Sequence, residues 1–457
     1  MNLRRWLTPG IGVKRWLLVV FAGLLLLALA VAHVIRQVTR DVQPSGATQV
    51  AIDLVTLQFL PYPLRGLLVG LLGGGLVVIG AVRLIRAFME PFRSGDVDQP
   101  LVEVIYQKRF LARGPKVVAI GGGTGLSTLL RGLKEHTSNL TAVVTVADDG
   151  GSSGVLRTEL GIPPVGDIRN CIVALADAEP LMSQLLQYRF PGPGGEDDDT
   201  LPDDDAISHG VRPDQPGLRG HAVGNLLIAA MCAIEGGDFE EGVRRMNRVL
   251  AVRGQVLPVS PVPLTLHARL RDGSELEGQS RIARADGIER VWLAPDDVAA
   301  SEDAVAAIAD ADLIVLGPGS LFTSLLPSLL VPGIRDAVAS SLALRVFVCN
   351  VATQEGETAG FDLADHVEAL AAHTAPGLVD VALGNNHFAA RVPSEWRAEP
   401  VRLRWPPSGP LAPRLVLDDV VAPDNAHHHD PERLAAAIFR LYEREGHRRR
   451  AGVARSA

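Results

Sequence analysis

The chain has 457 residues and a formal net charge of -8, from 52 acidic and 44 basic side chains. With no long basic run in its main body, that balance argues against a nucleic-acid binder that works by neutralising backbone phosphate, and favours a small ligand. Cys171, Cys232 and Cys349 are too far apart for a disulfide framework or a zinc motif, which fits a reducing compartment. The length admits two or three domains or one large α/β unit.

The first hundred residues differ in kind from the rest. Residues 16–34 contain no Asp, Glu, Lys or Arg, and residues 66–82, extended to 64–84 by flanking leucines and snorkelling arginines, form a second apolar run. Both are long enough to cross a bilayer as helices, so residues 1–100 read as a membrane hairpin. Arg4, Arg5, Lys14 and Arg15 precede the first run and Arg83, Arg86 and Arg93 follow the second, whereas the loop carries Arg36 and Arg40. The positive-inside bias then puts both ends in the cytoplasm, for a multi-pass protein of the cell membrane with its main domain inside. Small residues at 28–32 also admit a cleaved signal peptide, after which the second run still anchors the chain.

From residue 101 the pattern changes to strands and helices. Residues 116–120 (KVVAI) lead into GGGTG, a helical pattern follows over 127–136, and 140–147 (LTAVVTVA) reads as a second strand. The same logic returns at 311–316, before GPGSLFTS, and at 344–349, before NVATQEGET. These runs predict an α/β domain over 101–430 with a doubly wound, mostly parallel, Rossmann-like sheet. Two stretches interrupt it: an acidic, Pro- and Gly-rich surface insertion at 191–220, read as unable to order itself, and alternating residues around Asp272-Gly273 that predict a small β unit at 255–293. Residues 431–457 read as an amphipathic helix with a basic tail, and His427 to His429 as a loop.

The chemistry lies in the loops after the strands. Gly121, Gly122, Gly123, Thr124 and Gly125, followed by Leu126 and Ser127, lie between a strand and a helix, where backbone N–H groups and the helix dipole suit a phosphate; a tight turn is the plainer reading. Leu126 stands where a dinucleotide fingerprint needs glycine, and no GK[ST] follows. Asp148 and Asp149 follow the second strand, where they can hold a ribose or a metal, or begin a turn. Asp167, Arg169 and Asn170 add a carboxylate and a guanidinium suited to phosphate. Gly317, Gly319, Ser320 and Leu321 form a second Gly/Ser loop, so the sheet edge offers two anion cradles, as a diphosphate needs. His221 and Asn225, like Asn350, Thr353, Asn385 and Asn386, suit either ligand contact or a cap or core role.

Six strings in this order, GGGTGLSTLLRGLK, VTVADDGGSSGVLR, GDIRNCIVALAD, GHAVGNLL, VLGPGSLFTSLLP and NVATQEGET, closely resemble the YvcK-like gluconeogenesis factor family over residues 116–386. That family is similar in turn to the CofD 2-phospho-L-lactate transferases. The resemblance implies a CofD-like Rossmann-type fold that binds a UDP-sugar, notably UDP-N-acetylglucosamine, and supports cell-wall synthesis, cell shape and growth on gluconeogenic carbon. It implies ligand contacts at Gly121 to Ser127 and Gly317 to Leu321, with Asp148, Asp149, Arg169, Asn170, Asn225 and Asn350 beside them, and magnesium near Asp148, Asp149 and Asp167. The N-terminal hairpin and the 191–220 insertion depart from the short soluble pattern of that family. Two functions stay open: a regulator that acts on cell-envelope synthesis proteins and can form a homo-oligomer, and a magnesium-dependent phosphotransferase. An incomplete fingerprint gives a dehydrogenase little support.

Overall fold

The computed structural model describes residues 111–457 apart from 177–179, 192–216, 389–396, 408–411 and 457, together with isolated positions before 111. Both apolar runs of the N-terminus and nearly all of the acidic insertion lie outside the described residues. The chain divides into two compact units, Met1–Gln107 and Lys108–Ala457, and the fold below is that of the second. Among the described residues no single helix is long and apolar enough to cross a membrane.

Ten strands follow in chain order: β1 (Val117–Gly121), β2 (Leu140–Val144), β3 (Gln255–Pro258), β4 (Thr265–Leu270), β5 (Glu275–Glu277), β6 (Ile288–Ala294), β7 (Leu313–Leu316), β8 (Leu344–Val348), β9 (Val381–Asn385) and β10 (Arg414–Asp418). Seven form one sheet in the order β10-β9-β8-β7-β1-β2-β3, and every neighbouring pair is parallel. All residues of β1, β2, β7 and β9 are buried, so these strands show no polar alternation; covered on both faces, they read as unbroken apolar runs. The chain runs outward from β1 to β3 and then restarts beside β1 at β7 and runs outward the other way. Counting only this sheet, the order is 3-2-1-4-5-6-7, the Rossmann order with one added strand. The reversal falls between β1 and β7.

Gln255–Pro258, expected to open the small β unit, instead forms the edge strand of the main sheet, where Thr141 to Val144 offer it a parallel partner. The small sheet is β5-β4-β6, antiparallel.

The helices are α1 (Gly123–Leu133), α2 (Gly151–Leu160), α3 (Gly166–Leu175), α4 (Pro180–Gln187), α5 (Val223–Ile234), α6 (Phe239–Val249), α7 (Gln279–Ile282), α8 (Glu302–Ala309), α9 (Leu326–Leu329), α10 (Pro332–Ser340), α11 (Leu363–His373) and α12 (Pro431–Ser456). A one-turn π-helix (Leu321–Leu325) leads into α9. Helix α1 begins four residues before the pattern at 127–136 predicts, so Gly123 to Leu126 are its first turn.

The C-terminal helix is part of the core. Leu434, Ala435, Ile438 and Leu441 are buried, Phe439 stacks on His136 with ring centroids 4.6 Å apart, and α12 packs on α1. At Gly132 the approach is closest: a Cβ there would lie 1.9 Å from the Pro431 carbonyl oxygen and 2.9 Å from Ala435 Cβ. Replacing Gly132 with Val must therefore push α12 off α1, at a cost of about 1–3 kcal/mol. We expect a lower melting temperature and faster amide exchange over residues 431–441; unchanged exchange there would show that α12 does not depend on this contact.

Candidate functional site: a crevice at the sheet reversal

Strand β1 ends at Gly121, Gly122 is extended, and Gly123 takes φ 63 to open α1. The second loop, after β7, lies against this one backbone to backbone: a Cβ on Gly125 would sit 2.7 Å from the Pro318 carbonyl oxygen and 2.8 Å from Gly319 Cα. Only glycine permits that approach. Leu126 is fully buried, and the Ser127 hydroxyl donates to the Thr124 carbonyl at 2.9 Å. Of the expected set, the structure therefore puts the backbone of Gly121 to Gly125 at the crevice and turns Leu126 and Ser127 inward.

Helix starts in this fold are of two kinds. Asp238, Ser301 and Asp362 cap α6, α8 and α11 by accepting from backbone N–H groups, Asp362 within a capping box. Helices α1, α2, α3 and α5 start at Gly122, Gly150, Val165 and Ala222, whose own side chains make no cap, and α10 starts likewise at Val331. Their first N–H groups carry the positive end of the helix dipole, which a phosphate can meet.

The second loop is built differently from the first. Asn350 clamps the Gly319 peptide, donating from Nδ2 to its carbonyl at 3.0 Å and accepting its N–H on Oδ1 at 3.1 Å. Gln354 Nε2 donates to Ser320 Oγ at 2.8 Å, and Glu357 accepts from Phe322 N at 3.2 Å and from the Thr323 hydroxyl. The Gly319 N–H, the Phe322 N–H and the Thr323 hydroxyl thus have protein acceptors, and Leu321 is buried. The two loops expected as anion cradles lie together at one crevice, the second backed by Asn350, Gln354 and Glu357.

The three acidic residues part company. Asp148 is half-buried, and loss of solvent around it pushes its carboxyl above the ordinary range, against hydrogen bonds from Gly150 N (2.9 Å) and the Ser153 hydroxyl; the Asp149 charge adds to the rise and Arg169 opposes it. Asp149 turns to the small β unit, where Oδ1 accepts from Ser280 N at 2.8 Å and Ser280 Oγ at 2.6 Å. Asp167 lies beside the first loop, since a Cβ on Gly122 would fall 2.5 Å from its Oδ2. Among the described residues no three His, Cys, Asp or Glu side chains come together as a ready-made cation site. His429 is buried, donating from Nε2 to the Cys349 carbonyl at 3.2 Å, and burial holds it neutral down to about 4.

Arg169 is buried and donates from Nη1 to Asn225 Oδ1 at 3.2 Å and from Nη2 to Asn170 Oδ1 at 2.8 Å. Asn225 Nδ2 donates to Ser152 Oγ at 3.0 Å, and Ser152 Oγ lies 3.0 Å from His221 Nδ1. His221 and Asn225 thus neither cap α5 nor stand alone in the core. Asn385 bonds to His387 and Val420, and Thr353 to Glu399, within their loops.

The CofD family (2-phospho-L-lactate transferase CofD) matches residues 117–402. The chain belongs to the CofD family. Its relatives include the gluconeogenesis factor of Bacillus subtilis, 42% identical over 72% of this chain and 99% of that protein, and the gluconeogenesis factor of Halalkalibacterium halodurans, 43% identical over 71% and 95%. A relative from Nostoc sp. is 41% identical over 96% of this chain and 92% of its own length. A crystal structure from Bacillus halodurans superposes with a TM-score of 0.61 at 42% identity, covering 72% of this chain and all of that one. Within the family, this chain is thus of the gluconeogenesis factor kind.

Sequence reasoning passed over two residues of this CofD-family crevice, Ser152 and Glu357, although both lie inside the matching strings. Nothing local to a Ser after Asp-Asp-Gly-Gly or to a Glu in a polar loop marks it as buried; the fold reveals it. Burial pushes the Glu357 carboxyl up to about 7, against the hydrogen bonds from Thr323 and Phe322. The folded state therefore holds its proton more tightly than the unfolded chain. The stabilisation is complete below about pH 4.5, falls as pH rises and is gone above about pH 7, with a full span up to about 3 kcal/mol. Glu357→Gln, which mimics the protonated form, should flatten that part of the slope. Urea unfolding at pH 5 and pH 8 should show a smaller difference for the variant than for the parent; equal differences would mean that Glu357 ionises freely.

Proposed function

We propose that this chain acts as a gluconeogenesis factor that binds a nucleotide-sugar, UDP-N-acetylglucosamine or a related UDP-sugar, and regulates cell-wall synthesis, cell shape and growth on gluconeogenic carbon through protein partners. One observation carries the ligand reading: the glycine-opened start of α1 sits against the Gly319 backbone at the β1/β7 reversal, where open α/β sheets bind ligands. The names of the Bacillus and Halalkalibacterium relatives support the physiological part. A binding role also agrees with the state of the polar groups. Ser152 and His221 touch, but both are buried and Ser152 already accepts from Asn225, so the pair lacks the exposed hydroxyl a nucleophile needs.

The family match favours one second reading, a phosphotransferase of the 2-phospho-L-lactate transferase type. Magnesium fits part of this edge. Burial disfavours the ionised form of Asp148, a cost that a bound cation offsets, and Asp167 stands beside the first Gly loop. Bound there with phosphate oxygens completing its shell, the ion would neutralise phosphate charge. Asp149 is committed to Ser280 and contributes less.

Calorimetry on the full-length protein should show one site for UDP-N-acetylglucosamine, with an affinity that changes less than about threefold when magnesium is chelated and no turnover of the ligand. Gly123→Ala, which forces a side chain into a left-handed position at the start of α1, should weaken it about tenfold. A magnesium-dependent product that disappears in Asp148→Asn would replace the regulator with the transferase.

The site belongs, in this proposal, to a cytoplasmic domain held at the cell membrane by the apolar runs at 16–34 and 64–84. A reporter fused to the C-terminus should be cytoplasmic and should sediment with membranes; recovery of the intact fusion in the soluble fraction would remove the tether.

A further inference from the structure

The string GHAVGN has no role in the crevice as described so far, since neither His221 nor Asn225 reaches an α5 backbone N–H as a cap. Gly224 and Asn225 meet Arg169 instead, and His221 is joined to it through Ser152 and Asn225. The stem of Arg169 runs across Gly224, where a Cβ would lie 2.8 Å from Arg169 Cγ and 2.9 Å from Cδ. Asn225 holds the guanidinium through Oδ1, and Asn225 in turn is held by Ser152, which meets His221. We infer that the 220–225 turn together with Ser152 is a holder for Arg169, and that Asn225, Ser152 and His221 are positioning residues that fix the guanidinium beside Asp148 for an anionic ligand. That role deepens the nucleotide-sugar reading and rests on it for the ligand, although the holder itself is a matter of protein geometry.

Hydrogen-bond chemistry gives the chain one polarity. A guanidinium only donates, so the Asn225 group that faces it is the carbonyl oxygen, and the amide NH2 must face Ser152. Ser152 Oγ, accepting from Asn225, is left with its own proton to donate, and the acceptor within reach is His221 Nδ1 at 3.0 Å. His221 is then neutral, with its proton on Nε2, and burial disfavours the charged form that would reverse the last link. Arg169, Asn225, Ser152 and His221 are all buried, so each link is made without competition from water. Asn170 supplies the second support, at Nη2. An arginine held at both Nη atoms has its rotamer entropy removed before the ligand arrives, which a planar group needs in order to meet phosphate oxygens in a fixed geometry.

The test uses full-length protein labelled with 15N-arginine, inorganic pyrophosphate and UDP-N-acetylglucosamine as probes, and melting temperature as the check on folding. Arg169 should show separate Nη resonances from hindered rotation, and these should merge in Asn225→Ala. Pyrophosphate binding should weaken about tenfold in Asn225→Ala and in Arg169→Met, with no further loss in the double variant, because the first substitution already spoils the second group. Ser152→Thr, which keeps the hydroxyl, should bind as the parent does while Ser152→Ala does not, and this pair serves if Asn225→Ala fails to fold. Losses that multiply in the double variant, or parental affinity in Asn225→Ala, would overturn the holder. If the parent binds neither probe, the nucleotide-sugar reading falls, and the resonances alone decide: separate in the parent and merged in Asn225→Ala supports the holder, while merged in the parent or unchanged in the variant overturns it.

Discussion

Everything at this sheet edge depends on two backbones touching. Parallel strands β1 and β7 are neighbours across the point where the chain reverses direction in the sheet, so their loops leave side by side. With a Cβ at position 125 the loop after β7 would have to move away, and the start of α1 would lose its wall. Close approach of this kind carries no side-chain energy of its own. It is stabilised from outside, by Asn350, Gln354 and Glu357 pressing the second loop into place from the segment after β8. The crevice is thus a product of three successive strand ends, each of which supplies a different thing: a helix start, a glycine wall, and the clamp that holds the wall.

Helix starts are closed in two ways in this fold. Asp238, Ser301 and Asp362 satisfy the first N–H groups of α6, α8 and α11 with their own side chains, which is the ordinary way to close a helix. Helices α1, α2, α3 and α5 at the crevice, like α10, begin at residues whose own side chains make no such bond. Carboxylates from the loop after β2 reach helix starts: Asp148 accepts from Gly150 N and Asp149 from Ser280 N in the first turn of α7. Asp148 and Asp167 stay near the loops, and Asp149 ties the small β unit down.

Much of this was legible in the amino-acid sequence, for identifiable reasons. Apolar runs such as VVAI and LIVL followed by glycine, and RVFV followed by Cys-Asn, read as buried parallel strands with loops at their ends, and the order of the matching strings carried the fold. What could not be read is which polar residues face each other across long separations. Asn350 and Gly319, Glu357 and Phe322, Ser152 and Asn225 are partners only because parallel crossovers return distant segments to one edge. Gln255–Pro258 was misplaced because four residues of alternating character before a hairpin look like its continuation; the parallel partner that claims them, β2, lies over a hundred positions earlier. Short-range patterns fix elements well and their long-range company poorly.

The point where the acidic insertion leaves the fold has a consequence for how such a chain can vary. Phe190 and Arg219 form a parallel bridge, Gly220 N donates to the Phe190 carbonyl at 2.8 Å, and Arg189 holds the Gly220 carbonyl at 2.9 Å. The two ends are pinned together before anything between them is specified. Closing a loop on ends already joined makes length nearly free, since doubling it costs only about 0.6 kcal/mol. Residues between the pinned ends can therefore be gained, lost or changed in charge over evolutionary time without moving His221, one position beyond the pin. The fold has in effect separated a segment that is at liberty to drift from one that is not, and has placed the border between them at a single peptide.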